Sequence, residues 1–429
     1  MRLLWTVCLL NLTCAAACGG SGSAVTSDGG GSRDGGSADG GPGPVQALTY
    51  GPLGAFSQPT AEYVAFHQAA RGALDFDRSL FALAVHDDRL YVGHGDATLN
   101  LGTVQPIEVR SLTAPDAAPR SEGATGEEAI TLFRHCGEVF CIPGIDATEN
   151  GLVGNVYFLR PGAGDGGAGD GGAGDGGGGR SDAWQKVRGV PGALHVHDLT
   201  RWRGLLYAVG SGAPTMDEYN AGRIRGYLWR SRDEGNTWEI AQERVNSAGG
   251  DLRFTHFLPL GDALYVFGFR SSGGRIVEFL PYRFDGTALE TTPLASMARV
   301  YVLGTWQLSA TRGLVRGIDA SAQPLRFRTW LVEAGEARVV AGALDALTLV
   351  DAEPQPDGSA LLLVTEGNER DTPPPRWETR ILWTADFTTF RSLAAASLDP
   401  GAQPTSLASW RQSLWVGDAA GTLWRATGR

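Results

Sequence analysis

Seven short apolar runs, most of them closed by a glycine, recur along the chain at intervals of about fifty residues, and this period constrains the fold more than any other feature. They are Leu90-Tyr91-Val92-Gly93, Val139-Phe140-Cys141-Ile142-Pro143-Gly144, Leu206-Tyr207-Ala208-Val209-Gly210, Leu264-Tyr265-Val266-Phe267-Gly268, Leu314-Val315-Arg316-Gly317, Leu361-Leu362-Leu363-Val364 and Leu414-Trp415-Val416-Gly417. Their first residues lie 49, 67, 58, 50, 47 and 53 positions apart. The long interval contains a Gly/Ala/Asp tract, residues 162–179, and becomes 49 without it. The tract therefore reads as a disordered loop inserted in one repeat rather than as a linker between domains.

Each run is preceded by another strand-like stretch and a turn, as in Leu80 to His86 before Asp87-Asp88, or Phe254 to Leu260 before Gly261-Asp262. Each is followed by a polar loop and a further strand, such as Asn155 to Leu159 or Gly226 to Arg230. Three or four strands in about fifty residues make one propeller blade. Glycine, at 61 of 429 residues, suits such a turn-rich chain. The expected fold is all-β: a closed β-propeller of four-stranded antiparallel blades over residues 46–429. Seven blades fit best, and the faint fifth and sixth units leave six or eight open. The last unit stops one strand short, at Thr422 to Arg425, and Ala47 to Tyr50 are the expected source of the missing strand. Closure matters because an open sheet edge invites aggregation.

The N-terminus carries an export signal. Arg2 precedes an apolar stretch, Leu3 to Leu12, and then Ala15-Ala16-Ala17-Cys18. Small residues before a cysteine resemble the lipobox of bacterial lipoproteins, with Ala15 where leucine is more usual. That resemblance implies a signal peptide over 1–17, a lipid on Cys18, and a protein held to a membrane of the cell envelope; Gly19 after the cysteine points to the outer membrane. Residues 18–45, rich in glycine and serine, read as a flexible tether. With Cys8 and Cys14 in the signal, Cys136 and Cys141 remain as a candidate disulfide flanking a hairpin turn.

One octapeptide is sharp. Ser231-Arg232-Asp233-Glu234-Gly235-Asn236-Thr237-Trp238 fits Ser-x-Asp-x-Gly-x-Thr-Trp at every fixed position. It resembles the Asp box of the sialidase-like (BNR) repeat proteins, and Thr384 to Phe390 is a degenerate copy. The resemblance implies a structural turn in which Ser231 and Asp233 bind backbone amides, Gly235 takes positive φ and Trp238 packs beside the next blade. Sialidase activity does not follow. The Arg-Ile-Pro motif of those enzymes is absent, and no arginine triad can be assigned.

Propellers bind ligands at one end of the central channel. Loops after the second strands would bring His94 and Asp96, Asp146, Asp217 and Glu218, Glu366 and Asp418 to that rim. Counting back equally from the apolar runs places Ser79, Glu128, His195 and Arg253 at the starts of inner strands, with His197 and His256 just beyond. Asp96, Glu128, Asp146, His195, His197, Arg253 and His256 are thus the candidate ligand-binding residues. Carboxylates and imidazoles together suit a divalent metal or acid–base work. No other cofactor is indicated.

A net charge of −11 leaves no cationic surface for nucleic-acid phosphates. No nucleophile elbow, phosphate loop or zinc-protease helix is present. Two functions stay open: a membrane-anchored propeller that binds a glycan, peptide or protein through its rim, and an exported polysaccharide hydrolase or lyase using rim carboxylates or His195.

Overall fold

The computed structural model describes residues 48–71, 76–97, 107–145, 148–149, 151–160, 183–247, 249–273, 275–291, 294–323, 325–333, 335–344, 346–366 and 376–429. Residues 1–17, read above as a signal peptide, Cys18, all of the expected tether 18–45, Asp146 and the tract 162–179 lie outside them.

Twenty-eight strands form seven four-stranded antiparallel sheets among the described residues. Blade 1 holds β2 (Ala82–His86), β3 (Arg89–Gly93), β4 (Glu108–Leu112) and β5 (Arg120–Ala124). Blade 2 holds β6 (Arg134–Cys136), β7 (Val139–Pro143), β8 (Val153–Leu159) and β9 (Gln185–Pro191). Blade 3 holds β10 (Ala193–Trp202), β11 (Leu205–Gly212), β12 (Arg225–Ser231) and β13 (Glu239–Arg244). Blade 4 holds β14 (Leu252–Leu260), β15 (Ala263–Ser272), β16 (Arg275–Phe284) and β17 (Leu289–Thr291). Blade 5 holds β18 (Val300–Gln307), β19 (Arg312–Asp319), β20 (Arg326–Glu333) and β21 (Glu336–Val339). Blade 6 holds β22 (Leu347–Pro354), β23 (Ala360–Glu366), β24 (Trp377–Thr384) and β25 (Arg391–Leu398). Blade 7 holds β26 (Pro404–Trp410), β27 (Ser413–Asp418), β28 (Leu423–Thr427) and, as its outermost strand, β1 (Gly54–Ser57). The chain is a seven-bladed β-propeller.

Every apolar run of the repeat is the second strand of its blade. The closing glycine has a packing reason. A Cβ on Gly210 would overlap the carbonyl oxygen of His195, and one on Gly268 that of Arg253, so inner and second strands approach there as only glycine allows. Opposite the ends of these runs, glycine in all but blade 6, the inner strands of blades 3 to 7 bulge. Pairing shifts register at Val196/Asp198 in β10, Phe254/His256 in β14, Val302/Gly304 in β18, Leu349/Asp351 in β22 and Pro404/Ser406 in β26. A bulge re-aims the side chains beside it.

The N-terminal segment closes the ring, though not quite where expected. Tyr50 makes only an isolated bridge to Gly428, and the strand proper is Gly54–Ser57, paired with Leu423, Trp424 and Arg425. Between Tyr50 and Gly54 stands Pro52, which has no N–H to donate. The chain continues into α1 (Ala61–Arg71), whose Tyr63 ring meets His94 at 4.9 Å, before entering β2. The turns of the two inner hairpins at this seam, Asp87-Asp88 and Arg411-Gln412, take positive φ throughout. They hold each other: Arg411 Nε donates to Asp88 Oδ1 at 3.0 Å, and Trp410 Nε1 to the Asp88 carbonyl at 3.1 Å.

The Ser231–Trp238 turn joins β12 to β13. Gly235 N–H donates to Ser231 Oγ at 2.8 Å, Thr237 N–H to Asp233 Oδ1 at 2.8 Å, and Gly235 sits at φ 86. Thr384 and Asp386 repeat this between β24 and β25, accepting from Phe387 N–H at 2.9 Å and Thr389 N–H at 2.8 Å. One expectation is corrected. Trp238 joins the apolar cluster between blades 2 and 3, which includes Val139, Cys141 and Phe158 of the preceding blade, and its turn folds back so that Gly235 lies over Phe158. A second correction concerns Cys136 and Cys141, which are buried free thiols; the hairpin pairs Cys136 with Val139 and Cys141 with Arg134, so the two cysteines are not cross-strand partners.

Removing the Trp238 ring should cost far more than removing the Ser231 hydroxyl. Thermal unfolding of Trp238→Ala is expected to show about 3–5 kcal/mol of lost packing, against about 1–2 kcal/mol for Ser231→Ala. Equal shifts would show that the ring is not packed as described.

Candidate functional site

Inner strands begin, and second strands finish, at the same end of the ring, so the starts of the former meet the loops after the latter. Asp96 N–H donates to the Glu128 carbonyl at 2.9 Å, joining blades 1 and 2, and Leu80 N–H to the Asp418 carbonyl at 3.0 Å, joining blades 1 and 7. His195 Nδ1–H donates to the Ile145 carbonyl at 2.5 Å, joining blades 2 and 3. This end is the mouth.

Four of the expected residues gather on its blade 3–4 side. The His195 and His197 rings stack with centroids 5.5 Å apart, and His197 Nε2 shares a hydrogen bond with Ser211 Oγ at 3.3 Å. Arg253, at the equivalent place in β14, donates from Nη2 to Asp251 Oδ2 at 3.3 Å, and its side chain keeps 30% of its exposure. His256 lies one step deeper and shares a hydrogen bond with Thr255 Oγ1 at 2.9 Å. The protein encloses these rings, and Arg253 adds positive charge, so His195 is lowered to about 4 and His197 well below the usual imidazole range. Burial likewise takes His256 to about 4, against the pull of Asp198. All three are neutral near pH 7, which suits them to hydrogen bonding and leaves Arg253 as the fixed cation of the group.

The other expected residues are placed differently. Asp96 and Glu128 are buried at the blade 1–2 seam, where Asp96 Oδ2 accepts from Asp77 N–H at 3.1 Å. They do not line an open cleft as the repeat count implied, because the backbone contact that joins them draws both into the seam. Asp146 lies outside the described residues. No group of three His, Cys, Asp or Glu side chains is arranged to hold a metal among the described residues.

Sequence reasoning missed the groups that set this geometry. Asp198, fully buried beside His197, accepts from Arg134 Nε of blade 2 at 2.8 Å, from its neighbour Leu199 N–H at 2.8 Å, and from Phe257 N–H of blade 4 at 2.9 Å. Asp351 repeats the pattern across blades 5, 6 and 7, accepting from Trp306 Nε1 at 3.0 Å, Ala352 N–H at 2.8 Å and Leu407 N–H at 2.8 Å. Each is a carboxylate in a mostly apolar strand run, and that mismatch was the available signal. Further along the channel, Arg134, His135, Thr200, Thr305 and Gln307 border a cavity of about 30 Å³, room for one water by volume.

No family model and no curated protein sequence matches the chain. Solved structures do resemble it in fold. The β-propeller domain of the Trilobed protease from Pyrococcus furiosus superposes with a TM-score of 0.45 at 10% identity, covering 81% of this chain and 92% of that one. Virginiamycin B lyase from Staphylococcus aureus gives 0.42 at 9%, covering 83% and 96%. An α-L-arabinofuranosidase from Fusarium graminearum gives 0.36 at 10%, covering 67% and 89%.

The titrations set opposite slopes on stability. His94, His135, His195 and His256 are lowered to about 4 from 6.5, so the unfolded chain takes up their protons first and stability is lost as pH falls from 6.5 toward 4. Burial raises Asp351 to about 8 and Glu353 to about 7, so their contribution is complete below about pH 4 and is lost as pH rises through 7 and 8. The histidines outnumber the carboxylates where both act, so melting temperature should peak near pH 6.5. Glu353→Gln keeps an acceptor for Ser409 N–H and should flatten the alkaline limb. A melting profile that rises steadily to pH 9 would contradict this assignment.

Proposed function

We propose that the chain is a binding protein whose propeller mouth takes a carboxylate-bearing ligand, either a uronic acid of a glycan or an acidic group of a peptide or protein. The observation that carries this reading is Arg253: a half-buried guanidinium held by one carboxylate contact, beside two neutral imidazoles that donate and accept hydrogen bonds without adding charge. Guanidinium is the side chain best shaped to grip a carboxylate in two-point fashion. His195 and His197, tied to Ile145 and Ser211, would orient the neighbouring polar groups of the ligand.

A second reading makes His195 the proton acceptor of a lyase, since its Nδ1–H is tied to a carbonyl and the ring is neutral. The hydrolase reading draws less support: Asp96 and Glu128 are buried, away from any open cleft.

The address belongs to the same proposal. The lipobox-like Ala15-Ala16-Ala17-Cys18 supports a lipid-anchored envelope protein, outer-membrane in preference, and the Asp-box turns support kinship with the sialidase-like repeat proteins. The chain enters the ring at Thr49 to Gly51, beside Arg429 and Thr427 at the end opposite the mouth. An anchor on Cys18 would therefore suit a mouth turned away from the bilayer.

Binding of acidic oligosaccharides and acidic peptides to the full chain tests the proposal. Arg253→Gln should weaken the bound class by tenfold or more, about 1.4 kcal/mol, with an unchanged melting temperature. Retained affinity in Arg253→Gln would remove the mouth as the site. Turnover of an acidic polysaccharide, abolished by His195→Ala, would favour the lyase.

A further inference from the structure

A second opening lies away from the channel, at the outer edge of the seam between blades 6 and 7. It is a groove of about 580 Å³ between β1 and residues 399–402, which lead from blade 6 into blade 7. From its lining we infer that it is a binding site for a neutral pyranose sugar, independent of the mouth.

The groove has a fixed aromatic floor. Trp424 Nε1 donates to Asp418 Oδ2 at 2.8 Å, and Asp418 Oδ1 in turn accepts from Ala420 N–H at 2.9 Å and Thr422 N–H at 2.7 Å. The Trp424 ring packs on Trp377, Leu398 and Ala402 yet stays half-buried. Its indole N–H is already engaged, so what it offers a ligand is its ring surface. Most strand tryptophans here are closed over: Trp229, Trp306, Trp330 and Trp415 are fully buried.

The space beside that ring is open because the surrounding residues are small. Ala55, its cross-strand partner, and Gly401, Ala402 and Ala420 line the groove without filling it. The far wall is fixed as well: Trp377 Nε1 donates to the Pro400 carbonyl at 2.9 Å, and Ala402 N–H to the Asp399 carbonyl at 2.8 Å. A site that is rigid before binding loses little on ordering.

The polar rim decides the ligand class. Gln58 and the Thr422 hydroxyl supply donors and acceptors, while Ser57 Oγ is covered. The one carboxylate, Asp399, stands 3.6 Å from Arg376 Nη2, so the rim carries no surplus charge. An aromatic face for the apolar side of a ring, with hydroxyls, an amide and a balanced carboxylate for its edge, matches a neutral sugar better than an ion or an apolar chain.

Calorimetric titration of the full chain with maltose, cellobiose and N,N′-diacetylchitobiose tests the inference. At least one should bind with a Kd of about 0.1–5 mM. Trp424→Ala should weaken it by about tenfold. Ala55→Trp, which fills the groove at an exposed edge position without touching the Trp424 clasp, should abolish binding at an unchanged melting temperature. It keeps the test decisive if Trp424→Ala folds poorly. No binding of any of the three sugars, or binding indifferent to Ala55→Trp, would overturn the site.

Discussion

The ring depends on how its innermost strands satisfy the backbone groups on their free edges. A strand inside a sheet has two partners, but the first strand of a blade has one, and its other edge faces the channel. An N–H buried there without an acceptor costs about 1–3 kcal/mol. Asp198 and Asp351 answer this from the neighbouring blade, each accepting the amide of the residue after the next blade's bulge, Phe257 or Leu407. Each carboxylate also holds a donor of the preceding blade, Arg134 or Trp306, so one side chain ties three blades. Breaking the buried Asp198–Arg134 ion pair would cost about 3–5 kcal/mol, because the partner charge is left uncompensated. The site follows from the clasp. Asp198 adjoins His197, and the amide it grips lies four residues beyond Arg253, so the two strands carrying the mouth residues are fixed against each other at that point.

Closure at the blade 7–1 seam works by different means. The β1 strand adds the last sheet partner, Thr405 and Ser406 hydroxyls donate to the Leu80 carbonyl at 2.6 and 2.8 Å, and the Asp88–Arg411 contact locks two strained turns. An exposed ion pair alone is worth little; here it also joins the ends of a cyclic structure. On the opposite side of blade 7, toward blade 6, the same borrowed strand leaves the groove beside Trp424, since an outer strand supplied from elsewhere in the chain, with alanine at position 55, fills its blade less completely.

The repeat made the architecture readable because its glycines answer to a local collision. In blades 3, 4 and 5 the inner strand leaves no room for a Cβ on Gly210, Gly268 and Gly317 of the second strand, and these glycines recur at the period of the blades. The Ser231–Trp238 turn was readable for a similar reason: Ser231, Asp233 and Gly235 act within a few residues of one another. Contacts between blades were not readable. The direction in which Trp238 packs, the retreat of Asp96 and Glu128 into a seam and the reach of Asp198 to Phe257 all depend on bulges and on neighbours some tens of residues away. The closing strand was misplaced by seven positions because Gly54-Ala55-Phe56-Ser57 has weak strand character and takes its conformation from β28.

Amide hydrogen exchange at Phe257 and Leu407 in the full chain measures the clasps most directly. Both amides sit on channel-facing edges, where an unclasped N–H would meet solvent or remain orphaned. The account predicts that both exchange as slowly as the paired amides of second strands, and that Asp198→Asn accelerates Phe257 while leaving Leu407 unchanged. Fast exchange at both positions in the native chain, or an Asp198→Asn variant in which Phe257 is as protected as before, would contradict it.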